Sequence, residues 1–309
     1  MHLLIPFAAS NDPASRQVLR GLKLPHLEQL IHRLTALPLM QGLEDSPSLP
    51  HERVLAQALG LPATDPIPWA AWQAARSGHD APGAAWAFIT LCHWQVGQAQ
   101  VTLFDPQQLA MQEDESRALL AAMQPYFEED GITLLFDSPG RWLARGEVFR
   151  GLTTASPQRV VGQDVAPWLP ASSVLRRLQN EMQMLLYTHP LHDARTARRA
   201  LPVNSFWISG SGALDAAPPA PATQPIVAQQ LIAPALQQDW QSWAQAWQAL
   251  DAVEGAALLA ALDQGAAPVS LTLCGEQHAM PYVHAPRRGW ARLKTIFNRP
   301  ALSDVWEQL

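Results

Sequence analysis

The chain has 309 residues, 48% apolar and 16% charged, with a formal net charge of −6. That is enough apolar material for a sizeable core, in one large or two modest units, and it excludes general disorder. The acidic balance, with no Lys/Arg run longer than a dipeptide, excludes the broad positive field that nucleic-acid binding requires.

Cys92 and Cys274 lie in apolar surroundings without CxxC spacing, so reduced buried thiols are expected rather than a disulfide framework or zinc knuckle. The opening MHLLIPFAAS lacks a basic n-region and is cut short by Pro6, unlike a signal peptide. No stretch approaches the about 18 apolar residues of a spanning helix. No membrane association is expected, and the cytoplasm follows by exclusion.

Residues 2–8 read as a buried strand ending in the polar turn Ser10-Asn11-Asp12-Pro13. Pro25 starts a helix with Leu27, Leu30, Ile31 and Leu34 on one face, and Pro38 stops it. From Pro50, His51-Glu52-Arg53 forms the first turn of a short amphipathic helix that ends at Gly60-Leu61-Pro62. Trp69, Trp72, Trp86 and Phe88 supply core anchors for this half.

A helix over about residues 113–127 leads through Asp130-Gly131 into a strand at 132–136, and Ser138-Pro139-Gly140 turns the chain back toward Trp142 and Leu143. Ser172 or Ser173 caps a strong helix carrying Val174, Leu175, Leu178, Met182, Leu185 and Leu186, with Arg177 and Glu181 paired on its flank. His189-Pro190 ends it. Residues 203–208 then form a strand that exits into Ser209-Gly210-Ser211-Gly212.

The Pro/Ala-rich stretch 214–225 reads as a linker. Beyond it come a strand at 226–232, an Ala-rich helix pair with Trp240, Trp243, Trp247 and Leu250 at core spacing, and a strand at 269–273. The expected architecture is α/β, a layered mixed sheet with flanking helices. Its main unit spans residues 1–213, and a segment at 226–309 packs on it.

Walker, dinucleotide, Gly-x-Ser-x-Gly and HExxH motifs are absent. The stretch from Tyr187 to Ser211 concentrates His189, His192, Asp193, Arg195, Arg198, Arg199, Asn204 and Ser205 between two apolar elements. Arg offers a planar fork and Asn an orienting amide to a phosphate or carboxylate. Alternatively, these cations form a solvated face after a helix C-terminus, where the dipole favours them. Gly210-Ser211-Gly212 reads either as an anion-binding turn or as a plain strand exit.

Residues 178–212 resemble the pattern of archaeal-type cofactor-independent phosphoglycerate mutases. In that family a helix leads into His-Pro-Val-Asn, an Arg, a Gly-Lys and then Ala-Asn-x-Ile-Trp-Leu-Trp-Gly-x-Gly. His189, Pro190, Arg195, Asn204, Trp207, Gly210 and Gly212 fall on matching positions, and residues 142–170 are similar in order to the family's substrate lobe. Over most of its length the chain looks still closer to the bacterial RpfE-type regulatory proteins, which share MHLLIPFA, Pro-His-Glu-Arg at 50–53, Cys-His-Trp at 92–94 and Val-Asn-Ser-x-Trp at 203–207.

The resemblance implies a reduced alkaline-phosphatase/phosphoglycerate-mutase-like fold. In the mutases it also implies two metal ions held by Asp and His, with a Ser nucleophile. This sequence departs from that set. The first strand ends in Phe7-Ala8-Ala9-Ser10 where the mutases carry Asp-Gly, and Ser156-Pro157-Gln158 replaces Pro-His-Asp. Cys274-Gly275-Glu276-Gln277-His278 only echoes their late Asp-Glu-x-Gly-His. No metal or cofactor is expected.

Two further clusters are open to two readings. His51 and Glu52 serve either helix capping or chemistry, and His93 beside Trp94 is either a core histidine or a base. The expected function is therefore a regulatory or small-anion-binding protein without metal-dependent catalysis. Its ligand would be a small phosphorylated or carboxylated metabolite, contacted by His189, Arg195, Asn204, Ser205 and Ser211 against a wall formed by Trp207. An active mutase or phosphatase with an altered site, and a protein-interaction module with a protein partner, are the alternatives.

Overall fold

The computed structural model describes residues 1–79, 82–216, 218, 224–265, 268–284 and 301–309. Its first six strands are β1 (His2–Ile5), β2 (Thr35–Ala36), β3 (Met40–Gln41), β4 (Ala85–Cys92), β5 (Trp94–Val96) and β6 (Val101–Leu103). Then come β7 (Thr133–Ser138), β8 (Arg141–Arg145), β9 (Ser205–Ala213), β10 (Ile226–Val227), β11 (Ser270–Cys274) and β12 (His278–Val283). The helices begin with α1 (Pro13–Gly21), α2 (Pro25–Arg33), α3 (Pro50–Ala58), α4 (Trp69–Arg76), α5 (Glu113–Glu129) and α6 (Pro157–Val160). They continue with α7 (Ser173–Thr188), α8 (Pro190–Ala197), α9 (Ile232–Leu236), α10 (Trp240–Leu250), α11 (Ala256–Asp263) and α12 (Leu302–Trp306).

The chain is an α/β protein whose sheets carry flanking helices, and it gathers into two compact units. One comprises residues 1–45, 49–60 and 220–309, the other residues 46–48 and 61–219. This differs from a main unit running through residue 213. A buried parallel strand must satisfy backbone groups on both edges. The partners of β1 are β10 and β11, which come from beyond residue 225. Of the expected linker, residues 217 and 219–223 lie outside the described residues.

In the first unit the sheet order is β10-β1-β11-β12-β2, with β3 also on β12. The parallel part is β10-β1-β11, and β12 runs antiparallel to β11. The two-residue side-chain period of β1 buries both of its faces. Leu3 and Ile5 join the large core with Leu27, Leu30, Trp243 and Leu258, while Leu4 packs with Val54, Cys274 and Ala279.

The Ala-rich helix pair is one helical run. A wide π turn at Asp251–Gly255 joins α10 to α11. The turn delivers the buried Asp251 carboxylate to the start of α2, where Oδ1 accepts from Leu27 N at 2.7 Å. Its Oδ2 accepts from His26 N at 3.3 Å and pairs with His26 Nδ1 at 3.0 Å. No residue of α2 itself caps that end. The capping acid therefore comes from 225 residues away in sequence.

The second unit holds an antiparallel sheet in the order β7-β8-β4-β9. Here too alternation sorts β4. Ala87, Ile89 and Leu91 pack with residues of α5 and α7, while Trp86 and Phe88 pack with Ala70, Ala71 and Ala74 of α4. β9 does not exit at Ser209 as the sequence suggests. It continues through Gly210-Ser211-Gly212, with the β4–β9 register shifting between Trp86 and Phe88. Gly210 has φ +59° and a Cβ there would press on Phe88 and Trp69 at 3.0 Å, so the glycine serves a bulge under α4.

Two outcomes follow. Asp251→Ala strips the acceptor from the start of α2 and should cost about 2–3 kcal/mol, read as a lower urea midpoint. His2 in β1 bonds Thr272 Oγ1 at 3.0 Å, and burial lowers its pKa from 6.5. The unfolded chain therefore takes up this proton more readily. Stability is full above pH 6.5 and is lost as pH falls through that value toward the folded-state pKa. His2→Gln should flatten the change in urea midpoint between pH 7.5 and 5.5.

Candidate functional site

The residues expected to bind an anion are turned to the protein itself. Arg195 on α8 is 1% exposed. Its Nε donates to Leu201 O at 2.7 Å, Nη1 to Glu115 Oε2 at 2.6 Å, and Nη2 to Leu109 O. Desolvation draws its pKa below the usual guanidinium value. Glu115 also receives Arg198 Nη2 and, through the α5 capping box, Gln112 N at 3.2 Å. One buried carboxylate thus ties α5 to α8, and Arg195 has no face left for a ligand.

Asn204 mimics a strand rung. Its Oδ1 accepts from Trp94 N at 2.7 Å and its Nδ2 donates to Trp94 O at 2.9 Å. Trp207 Nε1 donates to Ala155 O at 2.9 Å. Ser211 Oγ donates to Leu152 O and sits 2.8 Å from Thr154 Oγ1, with its surface wholly buried. Ser205, also buried, meets Gln183 Nε2 at 3.5 Å. His189 ends α7 and caps α8, its Nδ1 accepting from Leu191 N at 3.2 Å. Each of these six side chains is bonded within the protein. The sequence concentrates them because two loops and a bulged strand need polar cross-ties there.

The secondary candidates behave alike. Glu52 Oε2 accepts from Leu49 N at 2.7 Å, the capping arrangement at the start of α3. His51 is buried with its ring 5.6 Å from Phe7. His93 Nδ1 pairs with Pro202 O at 2.9 Å and its ring stands edge-on to Phe104. His51 and Glu52 belong to the first unit and His93 to the second.

A cleft of about 410 Å³ lies elsewhere, in the first unit. Past Ile5 the chain turns at Phe7, whose φ of +51° is a costly conformation for an aromatic residue. Two bonds hold it. Phe7 O accepts from Trp243 Nε1 at 3.1 Å, and Ala8 N donates to Cys274 O at 2.7 Å. The turn carries Ser10 and Asn11 to the β11–β12 connection. There Ser10 Oγ donates to Glu276 Oε1 at 2.5 Å and Asn11 Nδ2 to Glu276 Oε2 at 3.3 Å.

Asp12 then caps α1 through Ala14 N at 2.7 Å and Ser15 N at 3.3 Å, and α1 returns Arg16 Nη2 to Asn11 Oδ1 at 3.1 Å. Ser10, Asn11, Arg16 and Arg20 line the cleft, and so do Leu302, Ser303, Trp306 and Glu307 from α12 and the residues flanking it. Leu19, Leu22 and Leu24 add apolar lining. The cleft stands at the carboxyl ends of parallel strands, where open α/β sheets receive ligands. The sequence signal for it was slight: a polar turn after the first strand and two arginines four residues apart.

A dinuclear metal centre of the kind the mutase resemblance implies does not fit these residues. The exit of β1 carries Phe7-Ala8-Ala9-Ser10 with no acid, and both Glu276 oxygens accept from Ser10 and Asn11. Among the described residues no three His, Cys, Asp or Glu side chains stand together as metal ligands. Both cysteines are buried, and desolvation raises their thiol pKa values well above the usual range. Among the described residues no helix is long and apolar enough to cross a membrane.

No protein family and no curated protein matches the chain. Among solved structures it is similar to the cofactor-independent phosphoglycerate mutase from Thermoplasma acidophilum DSM 1728, at 12% identity and a TM-score of 0.37, over 91% of this chain and 89% of that one. It is also similar to the PH0037 protein from Pyrococcus horikoshii, at 11% identity and a TM-score of 0.43, over 91% and 86%. At these scores neither likeness carries a site or an activity across.

Arg195→Met leaves Glu115 buried with only the half-exposed Arg198 as a cationic partner. It should destabilise the fold by about 3 kcal/mol, measured by urea denaturation.

Proposed function

We propose that the chain is a regulatory or small-anion-binding protein. It takes a small phosphorylated or carboxylated metabolite in the cleft beyond β1, without metal-dependent catalysis, and works in the cytoplasm. The observation that carries this reading is the placement of Arg16 and Arg20, one turn apart on α1, in the lining of a cleft at the parallel strand ends.

Guanidinium groups match the oxygen geometry of carboxylate and phosphate. The lining pairs them with Ser10, Asn11 and an apolar part, which is the usual make-up of a small-molecule site, and the volume falls in the range of such sites. Glu276 accepts from Ser10 and Asn11 and is absent from the lining, whose acids are Glu28 and Glu307.

Trp306 lines the cleft and packs on Trp247 with ring centroids 5.4 Å apart, so intrinsic fluorescence should report occupancy. Titration with inorganic phosphate and with 3-phosphoglycerate should give saturable changes. Arg16→Ala and Arg20→Ala should each weaken binding roughly tenfold, the loss of one charge-assisted contact. Binding untouched by both substitutions would refute the site. Turnover of phosphoglycerate with added Mn²⁺ or Zn²⁺ would refute the non-catalytic assignment in favour of a mutase or phosphatase.

A further inference from the structure

We infer that the ligand of this cleft is a zwitterion, a small molecule with a carboxylate or phosphate at one end, an ammonium group at the other and an apolar body. The inference rests on the cleft being a ligand site. Its observation is that the lining carries charges of both signs that do not meet. Arg16 and Arg20 come from α1, Glu28 from α2, and Glu307 from the residue after α12.

Among the described residues, none of Arg20, Glu28 and Glu307 has a salt bridge or a side-chain hydrogen bond, and Arg16 contacts only the neutral amide of Asn11. Opposite charges around one cavity would gain by closing on each other. Here they form no salt bridge among the described residues, so each sign keeps its capacity for a ligand group of the opposite charge.

A plain anion would bring its charge toward Glu28 and Glu307 as well as toward the arginines, and a plain amine would face the reverse. Only a ligand with both charges gains from both pairs of residues, so the cleft discriminates against singly charged molecules as well as selecting the matched one. Leu19, Leu22, Leu302 and Trp306 in the same lining provide apolar surface for the ligand's body.

The placement of Glu307 depends on residues 301–309 staying in place. They are seated where Gly275 has no side chain, because a Cβ there would collide with the carbonyl of Leu309. Val305 is buried and Trp306 stacks on Trp247, so this segment is a fixed wall of the cleft.

The test uses the full chain, tryptophan fluorescence and calorimetry, and two sets of probes. L-leucine is compared with 4-methylpentanoate, which lacks the amine, and with isoamylamine, which lacks the carboxylate. For a phosphate-like head, 3-aminopropylphosphonate is compared with propylphosphonate. The zwitterion of at least one set should bind tenfold or more tighter than its singly charged relatives. Glu28→Gln and Glu307→Gln, both at exposed positions, should erase that advantage while leaving phosphate and the plain anions bound as well or better. Gly275→Ala, by pushing the Leu309 segment away, should weaken the zwitterion more than inorganic phosphate. If the plain anions bind as tightly as the zwitterions, or if the glutamate substitutions leave the ratio unchanged, the zwitterion assignment falls and the anion site stands. If inorganic phosphate also fails to bind, both fall.

Discussion

The first unit depends on one constraint, that β1 is a parallel strand with both edges occupied. Four residues of strand contribute little on their own, and their backbone groups need partners on both sides. Those partners are β10 and β11, from residues 226–227 and 270–274. The beginning of the chain and its last third are therefore one folding unit, and the long stretch between is an insertion in sequence with its own antiparallel sheet. Such a connection closes only after a large chain entropy loss, which the continuous core around Leu3, Ile5, Leu27, Trp243 and Leu271 has to offset.

The same constraint makes the cleft. Because β1 and β11 run in parallel, the chain leaving β1 and the connection leaving β11 emerge at the same end of the sheet. Phe7 can hold a positive φ there because Trp243 and Cys274 fix both polar atoms of the peptide group that follows it. Trp243 stands edge-on to Trp247, and Trp247 packs on Trp306 of α12. The strained turn and the α12 wall of the cleft thus share one aromatic scaffold, so the shape of the cleft is set by core packing rather than by loop conformation.

Much of the fold was legible because periodicity and turn chemistry reported it directly. The sequence does not signal α1, while α2, α3, α5 and α7 follow from proline starts, caps and apolar stripes. What was not legible depended on distant partners. Nothing local in residues 2–5 says that their neighbours are 226–227 and 270–274, and the cap of α2 sits on Asp251. The strand expected over residues 2–8 ends at Ile5 because the turn at Phe7 is stabilised by Trp243, again remote. The polar stretch from Tyr187 to Ser211 is dense in donors. Density reflects how many backbone groups needed partners there, and burial decided that those donors face inward.

The arginines show why residue type alone could not choose between the two regions. Arg195 and Arg16 offer the same fork, but a buried guanidinium persists only when its charge and donors are matched, and Glu115, Leu109 and Leu201 match them. A guanidinium at a solvent-open cleft needs no such match, because water serves it until a ligand arrives. Arg16 meets only an amide, and Arg20 has no salt bridge among the described residues. The criterion that separates a binding arginine from a structural one is unspent hydrogen-bonding capacity beside a cavity. By that criterion the recognition surface we propose lies at the ends of β1 and β11, whereas Arg195, Asn204 and Ser211 spend their polar atoms within the protein.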